Sequence, residues 1–254
     1  IMARLITIPF SHFCEKARWA LDACGVAYRE DGHLPMFHYV PVKLAGAGRT
    51  VPVLVTDDKQ TIADSTEIVA WADARRPGTL LPIDPTTRAD ARQLEEDFDR
   101  QLGPATRRWA YAHVLPRKDL LDRLLVQGVP RREYLAMRVV RPLAIRLIGK
   151  GLRIDAAGIE RSRAKIEETF SRVGQLLDDG RRYLIGDQFS IADLAFAAFA
   201  APVVLPPEYP AKLPVLDDFQ GAPRAQMEAW RASRAGTHAL QLYATERTAQ
   251  RQAA

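Results

Sequence analysis

The 254-residue sequence predicts a small α/β unit in its first 80 residues and an all-helical remainder. Three observations carry that expectation. Strand and helix patterns alternate up to Arg76, and the stretch Leu80-Leu81-Pro82-Ile83-Asp84-Pro85 reads as a linker. Every long segment beyond it has helical patterning. The expected division is therefore 1–80 and 86–254.

The run Leu5-Ile6-Thr7-Ile8 is short and apolar, as a buried strand requires, and Pro9 ends it. A helix pattern follows: Ala17, Ala20, Leu21 and Cys24 share a face, with Gly25 as stop. Val26 to Glu30 predicts a second strand, and Asp31 to Arg49 an irregular link containing Pro and Gly. Val51 to Val55 and Gln60 to Ala63 flank Asp57-Asp58, which is a hairpin signal. A helix starts at Ser65, with Ile68, Val69 and Ala72 on one side, and stops before Pro77-Gly78. The order is β-α-β, link, β-β-α.

Beyond the linker, helices are expected over Thr87–His113, Asp119–Gln127, Arg132–Lys150 with a break at Pro142, and Ala156–Leu177. Ser190 to Ala201 is almost wholly apolar and predicts a buried core helix. Thr245 to Ala254 is polar and is expected to fray.

Composition narrows the function classes. At 47% hydrophobic and 26% charged, the chain has a globular balance. Two cysteines exclude a disulfide scaffold and a four-cysteine zinc site. No apolar run approaches the roughly 20 residues that span a bilayer. The opening IMARLITIPF reads as a strand and not as a secretory signal, so a cytoplasmic location is expected. The net charge is +5, and the first 80 residues balance nine basic against nine acidic. The excess gathers in Arg131 to Arg153, with seven basic residues against Glu133 alone. A solvated helix face is the main reading of that stretch; an acidic membrane surface or an anionic ligand could also use it. Only Tyr134 is aromatic there, so no nucleic-acid surface is expected.

Three places could carry chemistry. Ser11-His12-Phe13-Cys14 lies where the first strand enters the first helix. A helix start offers unpaired N–H groups and a positive dipole end, which favour a thiolate. The spacing is that of C-x-x-C with serine first, so this pair cannot exchange disulfides. Cys24 lies about 15 Å further along the helix, beyond disulfide reach. Ser11 would equally serve as a plain N-cap, and Cys14 as a small buried residue. At Thr50-Val51-Pro52-Val53, a cis bond would hold the Val51 backbone open to a peptide-like ligand. At Ala63-Asp64-Ser65-Thr66-Glu67-Ile68, capping residues open a helix where a carboxylate could bind, and Asp64 could meet an ammonium group.

Taken in order, PFSHFCEKARWAL (Pro9 to Leu21), TVPVL (Thr50 to Leu54), ADSTEI (Ala63 to Ile68) and YLIGDQFSIADL (Tyr183 to Leu194) resemble the cytosolic glutathione S-transferases. The resemblance, to a serine-type and bacterial-like member, covers the chain in outline. It implies a thioredoxin-like amino-terminal domain, an all-α carboxyl-terminal domain, and Ser190 and Asp193 as a capping pair.

The resemblance also implies roles. Ser11 matches the serine that activates the glutathione sulfur. Cys14 matches the position three residues on, occupied by cysteine in some serine-type members, and is counted with the glutathione-binding residues. Val51, before cis-Pro52, matches the residue whose backbone pairs with the cysteinyl part. Asp64 and Ser65 match the pair that holds the γ-glutamyl end, with Asp where Glu is usual, and Arg49 is placed for the glycyl carboxylate. Glutathione is thus the implied co-substrate, with no metal. The implied reaction is thiolate attack on a small hydrophobic electrophile, in a homodimer and in the service of detoxification; Trp109, Tyr111 and His113 are candidates to line its site, with core packing the main reading for the aromatics. The link lacks the family's usual Asn-Pro; His33 and His38 stand there and could touch the ligand. A non-catalytic binding protein of the same fold, or a glutathione-dependent lyase or thiol reductase, are the alternatives.

Overall fold

The computed structural model describes residues 2–253. A four-stranded mixed sheet opens the chain: β1 (Ala3–Thr7), β2 (Tyr28–Gly32), β3 (Val53–Val55) and β4 (Thr61–Ala63), in the order β2-β1-β3-β4. β1 pairs parallel with β2 through the crossover helix α1 (His12–Ala23) and antiparallel with β3; β3 and β4 form a hairpin. Leu5 and Ile6 are fully buried on opposite faces of the central strand, which explains why that run is continuously apolar.

The register decides where the loops gather. Ile6 pairs with Val53, Val53 with Ala63, and Thr7 with Gly32. The C-terminal ends of β1, β2 and β4 and the N-terminal end of β3 therefore share one edge of the sheet. The link from β2 contains a short helix, α2 (Tyr39–Leu44), and α3 (Ser65–Asp73) closes the unit. The second strand runs two residues later than Val26–Glu30, because its pairing with Ala3–Thr7 sets its limits.

The remainder is helical. The expected Thr87–His113 helix is three joined pieces: α4 (Pro85–Asp97), a π-helical segment at Phe98–Leu102, and α5 (Gly103–Val114). Pro104 lacks the N–H that would continue an α-helical ladder, and the wider turn lies just before it. Then come α6 (Lys118–Leu125), α7 (Arg131–Gly151), α8 (Ala156–Leu176) and α9 (Ile191–Val204). Helix α7 is not broken at Pro142: the ring lies on the exposed face, and Met137 and Ala144 are buried on either side of it. Arg131, Arg132, Arg138, Arg146 and Lys150 are exposed on α7.

Helix α9 is the core. It is buried at every position but one and packs on α1, α4 and α5. Asp193 fixes its start, accepting from Ser190 N at 3.1 Å, Ser190 Oγ at 3.0 Å and Leu184 N at 2.8 Å. After it come α10 (Gly221–Ala232), α11 (Arg234–Leu242), a π-helical turn at Tyr243–Arg247 and α12 (Thr248–Ala253). The expectation that the chain frays from Thr245 is corrected: Arg247 is buried, and Trp19 Nε1 donates to Gln250 Oε1 at 2.6 Å. No helix among the described residues is long and apolar enough to cross a membrane.

Candidate functional site

Ser11 stands at the shared sheet edge as N-cap of α1. Its hydroxyl accepts one long bond, from Cys14 N at 3.5 Å, and lies within reach of the Cys14 thiol; among the described residues it donates to no carbonyl or carboxylate, so its proton can turn to a ligand. The N–H groups of His12 and Phe13 make no backbone hydrogen bond, and that leaves two donors open at the positive end of the helix. The turn is held from behind by Arg18, which donates to Pro9 O at 2.7 Å and pairs with Glu15 at 3.0 Å and Glu30 at 2.9 Å.

Cys14 is fully buried, Ile8 N lies 3.5 Å from its Sγ, and burial pushes the thiol up to about 11. One turn into a helix buried on nearly all sides, Cys14 lies in the core behind Ser11. Cys24 is also buried, and its thiol is pushed up to about 12 by that burial and by Asp73.

The Val51-Pro52 bond is cis. Among the described residues neither the N–H nor the C=O of Val51 takes part in a backbone hydrogen bond, so both are available to an extended peptide. Asp64, at φ 113°, caps α3 through Thr66 N at 2.8 Å; Ser65 is the first residue of that helix and is buried. Asp64 N reaches Pro52 O at 3.4 Å, which ties the second and third places together. Register and this contact thus bring Ser11, Val51, Pro52, Asp64 and Ser65 to one edge of the sheet. Arg49 is exposed nearby, and its carbonyl accepts from His38 Nε2 at 3.0 Å.

His33 and His38 are structural here. Both are buried; His33 Nδ1 donates to Glu133 Oε1 at 2.6 Å, and the other Glu133 oxygen accepts from Leu34 N at 3.0 Å. This clamps α7 onto the link. The loop before α7 approaches so closely that a Cβ on Gly32 would lie 2.1 Å from Gly128 O. No group of three or more His, Cys, Asp or Glu placed to hold a metal is found among the described residues.

Ser11 also borders an apolar cavity of ≈ 60 Å³. Its walls include Trp109 and Tyr111 of α5, but not His113, which packs on Trp109 instead. Arg107, Tyr209 and Phe219 also line it, and no motif marks them in the sequence. His12 sits at the boundary, its Nε2 donating to Gly103 O at 2.9 Å; burial and nearby Arg107 lower its pKa to about 3, so it is neutral.

Comparison with known families settles the lineage. Residues 5–80 match the model for the glutathione S-transferase N-terminal domain, and residues 156–232 the model for its C-terminal domain. The chain belongs to the glutathione S-transferase superfamily. No curated protein sequence matches it. Among solved structures, this superfamily member is similar to a glutathione S-transferase from Rhodospirillum rubrum at 22% identity and TM-score 0.56, covering 96% of this chain and 99% of that one. It is similar to one from Sinorhizobium meliloti at 20% and 0.59, covering 96% and 99%. A β-etherase from Sphingobium matches at 17% and 0.61, covering 95% and 99%. The glutathione S-transferase models leave 81–155 unmatched, the stretch that holds α4 to α7.

Proposed function

We propose that this protein is a glutathione transferase in which Ser11 keeps the glutathione sulfur ionised for attack on an electrophilic carbon. The observation that carries the reading is the Ser11 hydroxyl, with no carbonyl or carboxylate acceptor among the described residues, at an open helix start beside an apolar cavity. In the same reading the Val51 backbone takes the cysteinyl part, Asp64 and Ser65 the γ-glutamyl end, and Arg49 the glycyl carboxylate.

The energetics suffice. A free thiol with pKa about 8.5 is only a few per cent ionised at pH 7. Lowering it by about two units needs about 2.7 kcal/mol. One hydrogen bond to the anion supplies roughly 1.5–3 kcal/mol and the helix end roughly 0.3–1 kcal/mol more. No general base is required. The sulfur bonds to carbon, the leaving group departs with its electron pair, and the thiol proton goes to water.

The buried, high-pKa state of Cys14 and Cys24 speaks against a thiol reductase. A cytoplasmic homodimer belongs to the same proposal, and sedimentation tests its dimeric state. The function is tested by calorimetric titration with glutathione, followed by conjugation of an aryl halide by wild type and Ser11→Ala. Saturable binding and a conjugation rate cut at least tenfold by the substitution are expected. Conjugation that survives it would remove Ser11 from the mechanism, and absence of binding at millimolar glutathione would favour a non-catalytic module.

A further inference from the structure

The cavity beside Ser11 is lined by apolar and aromatic side chains and by neutral His12, and no Asp or Glu borders it. Arg107 is the one formally charged residue in its wall. No carboxylate forms an ion pair with it among the described residues. Its Nε is buried with no hydrogen-bond partner, and its guanidinium lies over the Phe13 ring, 5.5 Å from the centroid. Its charged and polar neighbours are Tyr111, Arg108 and His12, none of them an anion at neutral pH.

The other buried cations near the site are matched. Arg18 has Glu15 and Glu30, Arg247 has Glu15 and Asp22, Lys16 has Glu95 and Asp99, and Arg141 has Asp122. Arg108, next in sequence, donates to Leu152 O and Ser162 Oγ. A guanidinium keeps its charge in any folded protein, and leaving it unpaired in an apolar wall is costly. Its planar fork matches a carboxylate.

We propose that Arg107 binds an anionic group on the second substrate, so that the acceptor is an electrophile with a hydrophobic body and a carboxylate. The Ser11 cavity shares Leu124, Leu205, Tyr209, Leu213 and Pro214 with a broad groove of ≈ 820 Å³. The body of the acceptor occupies that groove, with its charged end toward Arg107. The anion site stands on Arg107 alone; its use in catalysis rests on the transferase reading above.

The test pairs 4-chloro-3-nitrobenzoate with its methyl ester. Transfer forms a bond from glutathione sulfur to the ring carbon and breaks the carbon–chlorine bond; chloride leaves with the electron pair and the thiol proton goes to water. Binding of 4-nitrobenzoate and its methyl ester, without glutathione, is measured by calorimetry on the full chain. Wild type is expected to favour the acid over the ester at least tenfold, both in binding and in kcat/KM. Arg107→Gln is expected to collapse both ratios toward one, and Arg107→Lys to keep an intermediate ratio, which keeps the test open if the first variant does not fold. A wild type indifferent to the carboxylate, or a preference that survives Arg107→Gln, overturns the proposal. Acid-selective binding that depends on Arg107, with no conjugation of either compound, upholds the anion site and sinks the transferase reading. Conjugation without acid preference does the reverse.

Discussion

Arg247 Nε donates to Glu15 Oε1 at 2.7 Å, across 232 residues of sequence. The same guanidinium reaches Asp22 at 2.6 Å. The turns at Tyr243–Ala253 are thereby strapped to α1, whose start carries Ser11. Arg247→Met leaves a buried carboxylate short of a partner, though Arg18 still faces Glu15. A loss of about 3 kcal/mol is expected in urea unfolding, since breaking a buried pair from one side costs about 3–5 kcal/mol.

Ser11→Ala should move the ionisation of bound glutathione upward by about one to two pH units, the equivalent of one hydrogen bond to an anion. The rising limb of the kcat/KM profile then shifts to higher pH, and activity partly recovers above pH 8. Thiolate absorbance of the binary complex reads the same shift without turnover. Fold stability should change by no more than about 1 kcal/mol, because the cap bond is long.

His12, held neutral with a pKa of about 3, makes stability fall in acid. The unfolded chain takes up a proton as pH drops below about 6.5, while the folded state does not until near 3. The contribution is therefore complete above 6.5 and declines by about 1.4 kcal/mol per pH unit across that window. His12→Asn should flatten this part of the stability–pH curve, measured by denaturant midpoints from pH 7 to 4.

The cysteines give the opposite sign at high pH. With Cys14 raised to about 11, the unfolded thiol loses its proton near pH 9 and the folded one does not. Stability is complete below pH 9 and falls between 9 and 11. Neither Cys14 nor Cys24 should react with iodoacetamide in the native protein at pH 8, and mass spectrometry would detect labelling at either.

Glu133→Gln should loosen α7. The buried carboxylate holds both His33 and the Leu34 N–H, and the amide can keep only part of that geometry. Hydrogen exchange is expected to quicken in residues 131–140 and in the link at 33–38, with β1 and α9 unaffected. Unchanged protection of α7 would show that the apolar contacts of Met137 and Ala144 alone hold it.

The elements that read well from the sequence are those whose signals are local. The Leu5–Ile8 run, the Asp57-Asp58 turn, the Ser190/Asp193 cap and the apolar helix after it need nothing beyond periodicity and capping chemistry. The family resemblance was legible for the same reason, since its motifs are short and contiguous. Pro142 misled because helix breaking depends on what packs on either side of the proline. The tail misled because Thr245–Ala254 is polar; the described part, up to Ala253, is held by ion pairs with α1 and by a hydrogen bond to Trp19.

The sequence by itself determined the β-α-β, link, β-β-α order and which residue types open α1, β3 and α3. Tertiary structure decided which of them meet. Strand register carries Ser11, Val51 and Asp64 to one sheet edge; the core claims Cys14; Glu133 commits His33 to the fold, and the Arg49 carbonyl takes His38. It also set Arg107 beside Ser11 with no counter-charge. Capping and periodicity act within a few residues and leave their mark in local order, whereas burial and pairing of charge are fixed by neighbours that packing brings from far along the chain.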